Sequence, residues 1–140
     1  MVGAFAPANR EGDIMGRLIL NPIRECKPSA DYNFFIVRSA KSVPKGFHHI
    51  PELSPPKSLF FQAQRWKKEG SMSDHFEDYR LAFAKHMQEG ELAEYLDHLE
   101  DLLKQDVTVQ IVCFCPDPTR CHRTIIGDYF FDKGYDVEFG

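Results

Sequence analysis

At 140 residues, with 43% hydrophobic and 13% aromatic content, the chain is large enough and apolar enough to bury one core, and residues 1–140 are expected to form a single domain. The net charge of -4 provides no broad basic field, so strong binding to duplex nucleic acid is not expected, whereas a small local anion site is compatible with it. Met1 to Pro7 lacks the basic start and long apolar core of a secretory leader, and no apolar run approaches the roughly 20 residues of a membrane span, so no membrane association is expected. Of the four cysteines, three fall within one short stretch, which makes a poor disulfide framework and suits a reducing cytoplasm and a local site.

Residues 1–12 are small, Pro-containing and expected to be flexible. Ile14 to Leu20 predicts a first strand, broken by Asn21-Pro22. Cys26 to Tyr32 is turn-like, and the compact apolar run Asn33 to Arg38 predicts a second strand. A loop from Ser39 to Gly46 leads to a short strand over Phe47 to Ile50. Pro55 and Pro56 then open a helix with the apolar stripe Leu59, Phe60, Ala63 and Trp66, ended by Gly70. Asp74 and Glu77 have the spacing of a capping box for the next helix, whose inner face is Phe76, Tyr79, Phe83 and Met87. After Gly90 a third helix carries Leu92, Tyr95, Leu96, Leu99 and Leu103.

The rest of the chain is organised around Val107 to Gly134. Val107, Val109, Ile111 and Val112 predict a strand buried on both faces, running to Phe114. The loop Pro116-Asp117-Pro118-Thr119 continues neither element, and a helix follows from Cys121 or His122 to Gly134, with Ile125, Ile126, Tyr129 and Phe130 inward. Tyr135 to Phe139 closes as a strand. Strand, helix and strand read as a right-handed crossover, which places Val107 to Phe114 centrally and parallel to both Asn33–Arg38 and Tyr135–Phe139. The fold class expected is α/β: a single domain with a mainly parallel sheet flanked by helices, in a Rossmann-like three-layer arrangement.

Ligands of open parallel sheets bind beyond the carboxyl ends of the strands, where Cys113 to Arg123 falls. A helix beginning near His122 offers free backbone N–H groups and a partial positive charge, to which Arg120 and Arg123 add guanidinium forks, so a phosphate or carboxylate site is expected there. Pairing of these arginines with Asp117 or Asp128 is the plainer alternative. Cys121, between two arginines at a helix start, stands where thiol pKa falls, and is expected to alkylate faster than a buried Cys113. A tyrosine-phosphatase loop does not fit. Cys115 to Arg120 is one residue too short for it and Cys113 to Arg120 one too long, and two prolines remove N–H donors. Cys113, Cys115, Cys121 and His122 are all metal-ligand types, but their spacing is no standard knuckle, and the preferred reading assigns no metal and no cofactor. Cys113 and Cys115, two apart on a strand, should face the same side.

These residues resemble the domain-of-unknown-function family 488 (DUF488). Its signature is a strand ending in Cys-aromatic-Glu, a short loop, then Cys-His-Arg opening a helix, and Cys113-Phe114-Cys115 with Cys121-His122-Arg123 stands at that spacing. Pro51-Glu52-Leu53, Pro55-Pro56-Lys57-Ser58, Phe76 to Tyr79 and Ile36-Val37-Arg38-Ser39 are similar to further family segments. In two places the chain departs from the pattern: Ile36 stands for the family's Asp and Cys115 for its Glu.

Together these readings predict a cytoplasmic protein with a pocket for a small-molecule anion or nucleotide-like ligand. Arg38, Ser39, Arg120, Arg123 and Cys115 would bind it, and Cys121 and His122 would carry any chemistry, Cys121 as nucleophile or pocket wall and His122 as proton carrier. A non-catalytic binding protein, and a cysteine-based metal or redox-sensing module, are the alternatives.

Overall fold

β-Branched residues prefer the pleated backbone, and a run of them without polar interruption suits a strand covered on both faces. The computed structural model, which describes residues 15–115 and 121–140, builds such a strand into the middle of a five-stranded sheet. In chain order the strands are β1 (Arg17–Pro22), β2 (Tyr32–Phe35), β3 (His48–His49), β4 (Thr108–Cys113) and β5 (Asp136–Glu138). The helices are α1 (Lys57–Lys68), α2 (Met72–His86), α3 (Gly90–Leu103) and α4 (His122–Asp132), with short 3-10 turns at Ile23–Glu25 and Pro51–Leu53. The strand order is β3-β2-β4-β1-β5 and every pairing is parallel. This is the single-domain α/β class expected, with β4 central and parallel to the strands before and after it.

Several boundaries differ from the sequence reading. The first strand runs through Asn21 to Pro22, because Pro22 is its last residue and its missing N–H falls at the end of the ladder. Regular pairing in β2 stops at Phe35, yet Ile36 and Val37 remain buried, and the Ile36 N–H still bonds Val112 O at 2.9 Å. The second helix begins at Met72 after Ser71, so Asp74 lies within the first turn rather than at the cap. There its carboxylate sits at the positive end of the helix dipole.

Side-chain alternation sorts the sheet into two faces. Leu18, Leu20, Val109, Ile111 and Phe34 share one by register. Leu20 packs there against α4, and Phe34 shares an apolar pocket with Leu99 and Leu102 of α3. The opposite face carries a polar knot. Buried Gln110 accepts from Asn21 Nδ2 at 2.8 Å and donates to Asn33 Oδ1 at 2.9 Å and to Lys27 O at 2.8 Å. One amide therefore ties β1, β4 and β2 in register and fastens the chain that follows the first 3-10 turn. Every polar atom of this amide is satisfied, which is the condition for burying it at low cost.

Gly16 precedes β1 where the chain slips beneath the end of α3. A Cβ there would lie 2.4 Å from Val107 O and 2.8 Å from Gln105 O, both backbone atoms. Gly16→Ala is expected to lower stability by about 1–3 kcal/mol, the usual range for overpacking. The urea midpoint should fall with an unchanged m-value; an unmoved midpoint would show that the backbone yields at no cost.

Candidate functional site

The carboxyl ends of β2 and β4 and the start of α4 enclose a small cavity of about 80 Å³. β4 delivers Cys113 to the cavity at its last residue, and Phe114 and Cys115 beyond the strand line it too, so strand alternation does not account for Cys115. Cys121 is the residue before the first turn of α4, with extended backbone (φ -124, ψ 143), and His122 opens the helix. Cys113, Cys121 and His122 are all buried, and their ligand-type atoms lie within 4.8 Å of one another. The Cys113 and Cys121 sulfurs are 2.6 Å apart, and Cys121 also hydrogen-bonds the Cys115 thiol.

Arg123 is fully buried and lies behind the sulfurs, not among the residues lining the cavity. Its Nη1 donates to Cys113 Sγ at 3.1 Å and to Cys115 O at 2.6 Å, while Nε and Nη2 both donate to Gly140 O, at 3.1 and 3.0 Å. The guanidinium expected to reach for a ligand is instead engaged by a sulfur and two carbonyls.

The two thiols titrate as a pair, shaped by the hydrogen bond between them, by burial and by the neighbouring Arg123. The hydrogen bond from Cys121 is the largest influence on Cys113; burial opposes it, and the Arg123 charge adds to it, so the Cys113 thiol is pushed down to about 7. Cys121 moves the other way. Its burial raises its pKa well above the ordinary thiol value, and the adjacent Cys113 raises it further. The expectation of a lowered thiol at Cys121 is therefore reversed: desolvation at the cap and the adjacent Cys113 outweigh the helix dipole and the nearby arginine. Tyr79 of α2 is likewise held above its ordinary value by burial and by the neighbouring cysteines.

His122 Nε2 lies 2.7 Å from the Ile36 carbonyl oxygen. An oxygen of that kind only accepts, so Nε2 carries the proton and Nδ1 presents its lone pair, 3.8 Å from Cys121 Sγ. Burial is the main cause that drops the imidazole pKa to about 4. A ring so held is neutral near pH 7 and suits lone-pair donation better than proton delivery.

Of the other residues singled out, Arg38 lines the cavity at half-burial, with its Nε donated to Pro55 O at 3.2 Å. Ser39 is exposed on the following loop and is not among the lining residues. Arg120, with the loop 116–120, lies outside the described residues. Glu52 hydrogen-bonds Tyr95. The sequence reading missed Lys67 and Gln64 of α1, and it took Tyr79 only as core, yet all three line the cavity. A signal existed: Phe60, Ala63 and Lys67 repeat at helical spacing, which puts a lysine on an apolar stripe. No helix among the described residues is long and apolar enough to cross a membrane.

Parallel β-α connectivity with a buried thiol–imidazole cluster at the head of the last helix defines an α/β protein whose chemistry is concentrated at one strand end. The chain belongs to the DUF488 family: residues 29–134 match the family model DUF488-N3a, described as the active DUF488-N3 subclade. No curated protein and no solved structure matches.

The neutral imidazole sets a pH dependence. Unfolded, His122 protonates near its ordinary 6.5; folded, it resists protonation down to about 4. Its contribution to stability is thus complete above about pH 6.5 and is lost as the pH falls toward 4, at up to about 1.4 kcal/mol per pH unit. In EDTA-containing buffer His122→Gln, whose amide can still reach the Ile36 carbonyl, should show a flatter acid limb in urea denaturation. Parallel losses in the two proteins would mean the ring is not held neutral.

Proposed function

We propose that this cavity binds the phosphoryl group of a small phosphorylated or nucleotide-like molecule. The observation that supports the reading most is the charge of its lining: Arg38 and Lys67 contribute cations, and no carboxylate is present among the described lining residues. Two cations over a partly enclosed space repel each other by about 1 kcal/mol at 4 Å in water and more when desolvated. A bound oxyanion removes that repulsion and accepts charge-assisted hydrogen bonds. The amino-terminal end of α4 adds its dipole from the same side.

The size of the cavity limits what enters. Small-molecule pockets usually measure about 300–1,000 Å³, so the 80 Å³ here accepts one phosphoryl group while the rest of the ligand stays outside. Arg38 also borders a second, larger hollow of about 300 Å³, where Lys57 and His86 stand with Glu52, Glu89 and Glu91, a mixed lining that suits an uncharged remainder better than a second phosphate. The description of the matched subclade as active favours a working pocket over a silent one.

Inorganic phosphate should raise the melting temperature, equivalent to about 2.7 kcal/mol at a concentration 100 times its Kd. Chloride at equal ionic strength serves as the control. Arg38→Ala and Lys67→Ala should each weaken the response. Equal responses to phosphate and chloride, or responses unaltered in both variants, would count against the reading.

A further inference from the structure

We propose that Cys113, Cys121 and His122 bind a zinc-type divalent ion, with a remaining coordination position open to the cavity. Two sulfurs and one imidazole nitrogen converge within 4.8 Å, all buried, from the end of β4 and the head of α4. This donor set is soft and matches Zn²⁺, whose sites with three protein ligands keep the fourth place for water or substrate. The surrounding bonds supply a second, independent indication. A ligating histidine nearly always donates its other ring N–H to a carbonyl or carboxylate, which fixes its tautomer. His122 does so to Ile36 O, and its unprotonated Nδ1 is the nitrogen turned toward Cys121 Sγ.

Two thiolates neutralise a divalent ion, and Arg123, donating to Cys113 Sγ, leaves the cluster with one positive charge in excess. An anionic fourth ligand arriving from the cavity cancels that excess. The sulfurs, now 2.6 Å apart, would move to about 3.7 Å to span a tetrahedral ion with Zn–S bonds of about 2.3 Å. A Cys113–Cys121 disulfide is the competing use of these atoms. It would use neither the lone pair that His122 turns toward Cys121 nor the Arg123 donor on Cys113 Sγ, so the surroundings favour the ion. Cys115, hydrogen-bonded to Cys121, stands beside the open position. The inference goes beyond the phosphate reading and stands without it, since the metal is titrated in phosphate-free buffer.

The test is titration of the reduced, metal-free protein with Co²⁺ under anaerobic conditions. Expected are one ion per chain, near-ultraviolet thiolate-to-cobalt bands, tetrahedral bands in the visible, and displacement by Zn²⁺. Cys121→Ser and His122→Gln, each checked for folding by circular dichroism, should weaken Co²⁺ binding by more than the roughly 10- to 100-fold that losing an outer partner costs. Cys26→Ser should bind as wild type does, because that thiol rests on Ile23 O, away from the cluster. Zn²⁺ should also protect Cys113 and Cys121 from oxidation by diamide. Absence of thiolate-to-cobalt bands in wild type, their persistence in both ligand variants, or disulfide formation at the same rate with and without Zn²⁺ would overturn the proposal.

Discussion

A guanidinium with no exposure must find negative charge or be hydrogen-bonded throughout, and Arg123 defines the site by how it meets that demand. Its acceptors come from three places: a sulfur at the end of β4, a carbonyl two residues further on, and the carbonyl of Gly140 beyond β5. One side chain of α4 therefore fastens the ends of two strands that are not neighbours in the sheet. Removing it would leave Cys113 without its counter-charge and Gly140 O without its donors. The same contact that closes the fold thus adds to the lowering of the Cys113 thiol, whose largest cause is the Cys121 hydrogen bond.

Much of the scaffold was readable from the sequence because its signals are local. The run Val109 to Val112 announced a strand covered on both faces, and Gly134, with φ 95, ended the last helix where expected. What could not be read were the properties that depend on which atoms meet. The sequence places two arginines beside Cys121; it says nothing of Arg123 turning toward Cys113 instead. Helix position alone pointed to a lowered pKa at Cys121, whereas burial at the cap raises it. Lys67 and Tyr79 were legible as helix residues, but only the packing of α1 and α2 brings them over the end of β4. Arg120 was legible as a candidate and lies outside the described residues.

The two departures from the family pattern acquire a structural meaning. Ile36 contributes its carbonyl, not a side-chain carboxylate, to the His122 ring. A backbone oxygen accepts the same N–H without bringing a titratable charge, so it leaves the imidazole at a low pKa where an aspartate would raise it. At Cys115 a thiol stands where the family pattern has a carboxylate, which makes this cluster softer as a donor set.

The strand order has a consequence for the birth of the molecule. β1 lies between β4 and β5, both from the last third of the chain, so this strand, the first among the described residues, has no pairing partner until nearly all the rest exists. Leu18, Ile19 and Leu20 must wait while β2, β3 and three helices are synthesised, and loop closure of that span is slow. During translation, roughly 5–20 residues per second, this leaves an apolar segment uncovered for seconds. Arg17 at the start of that strand and Pro22 at its end are the kinds of residue that discourage a waiting strand from pairing with a neighbouring chain.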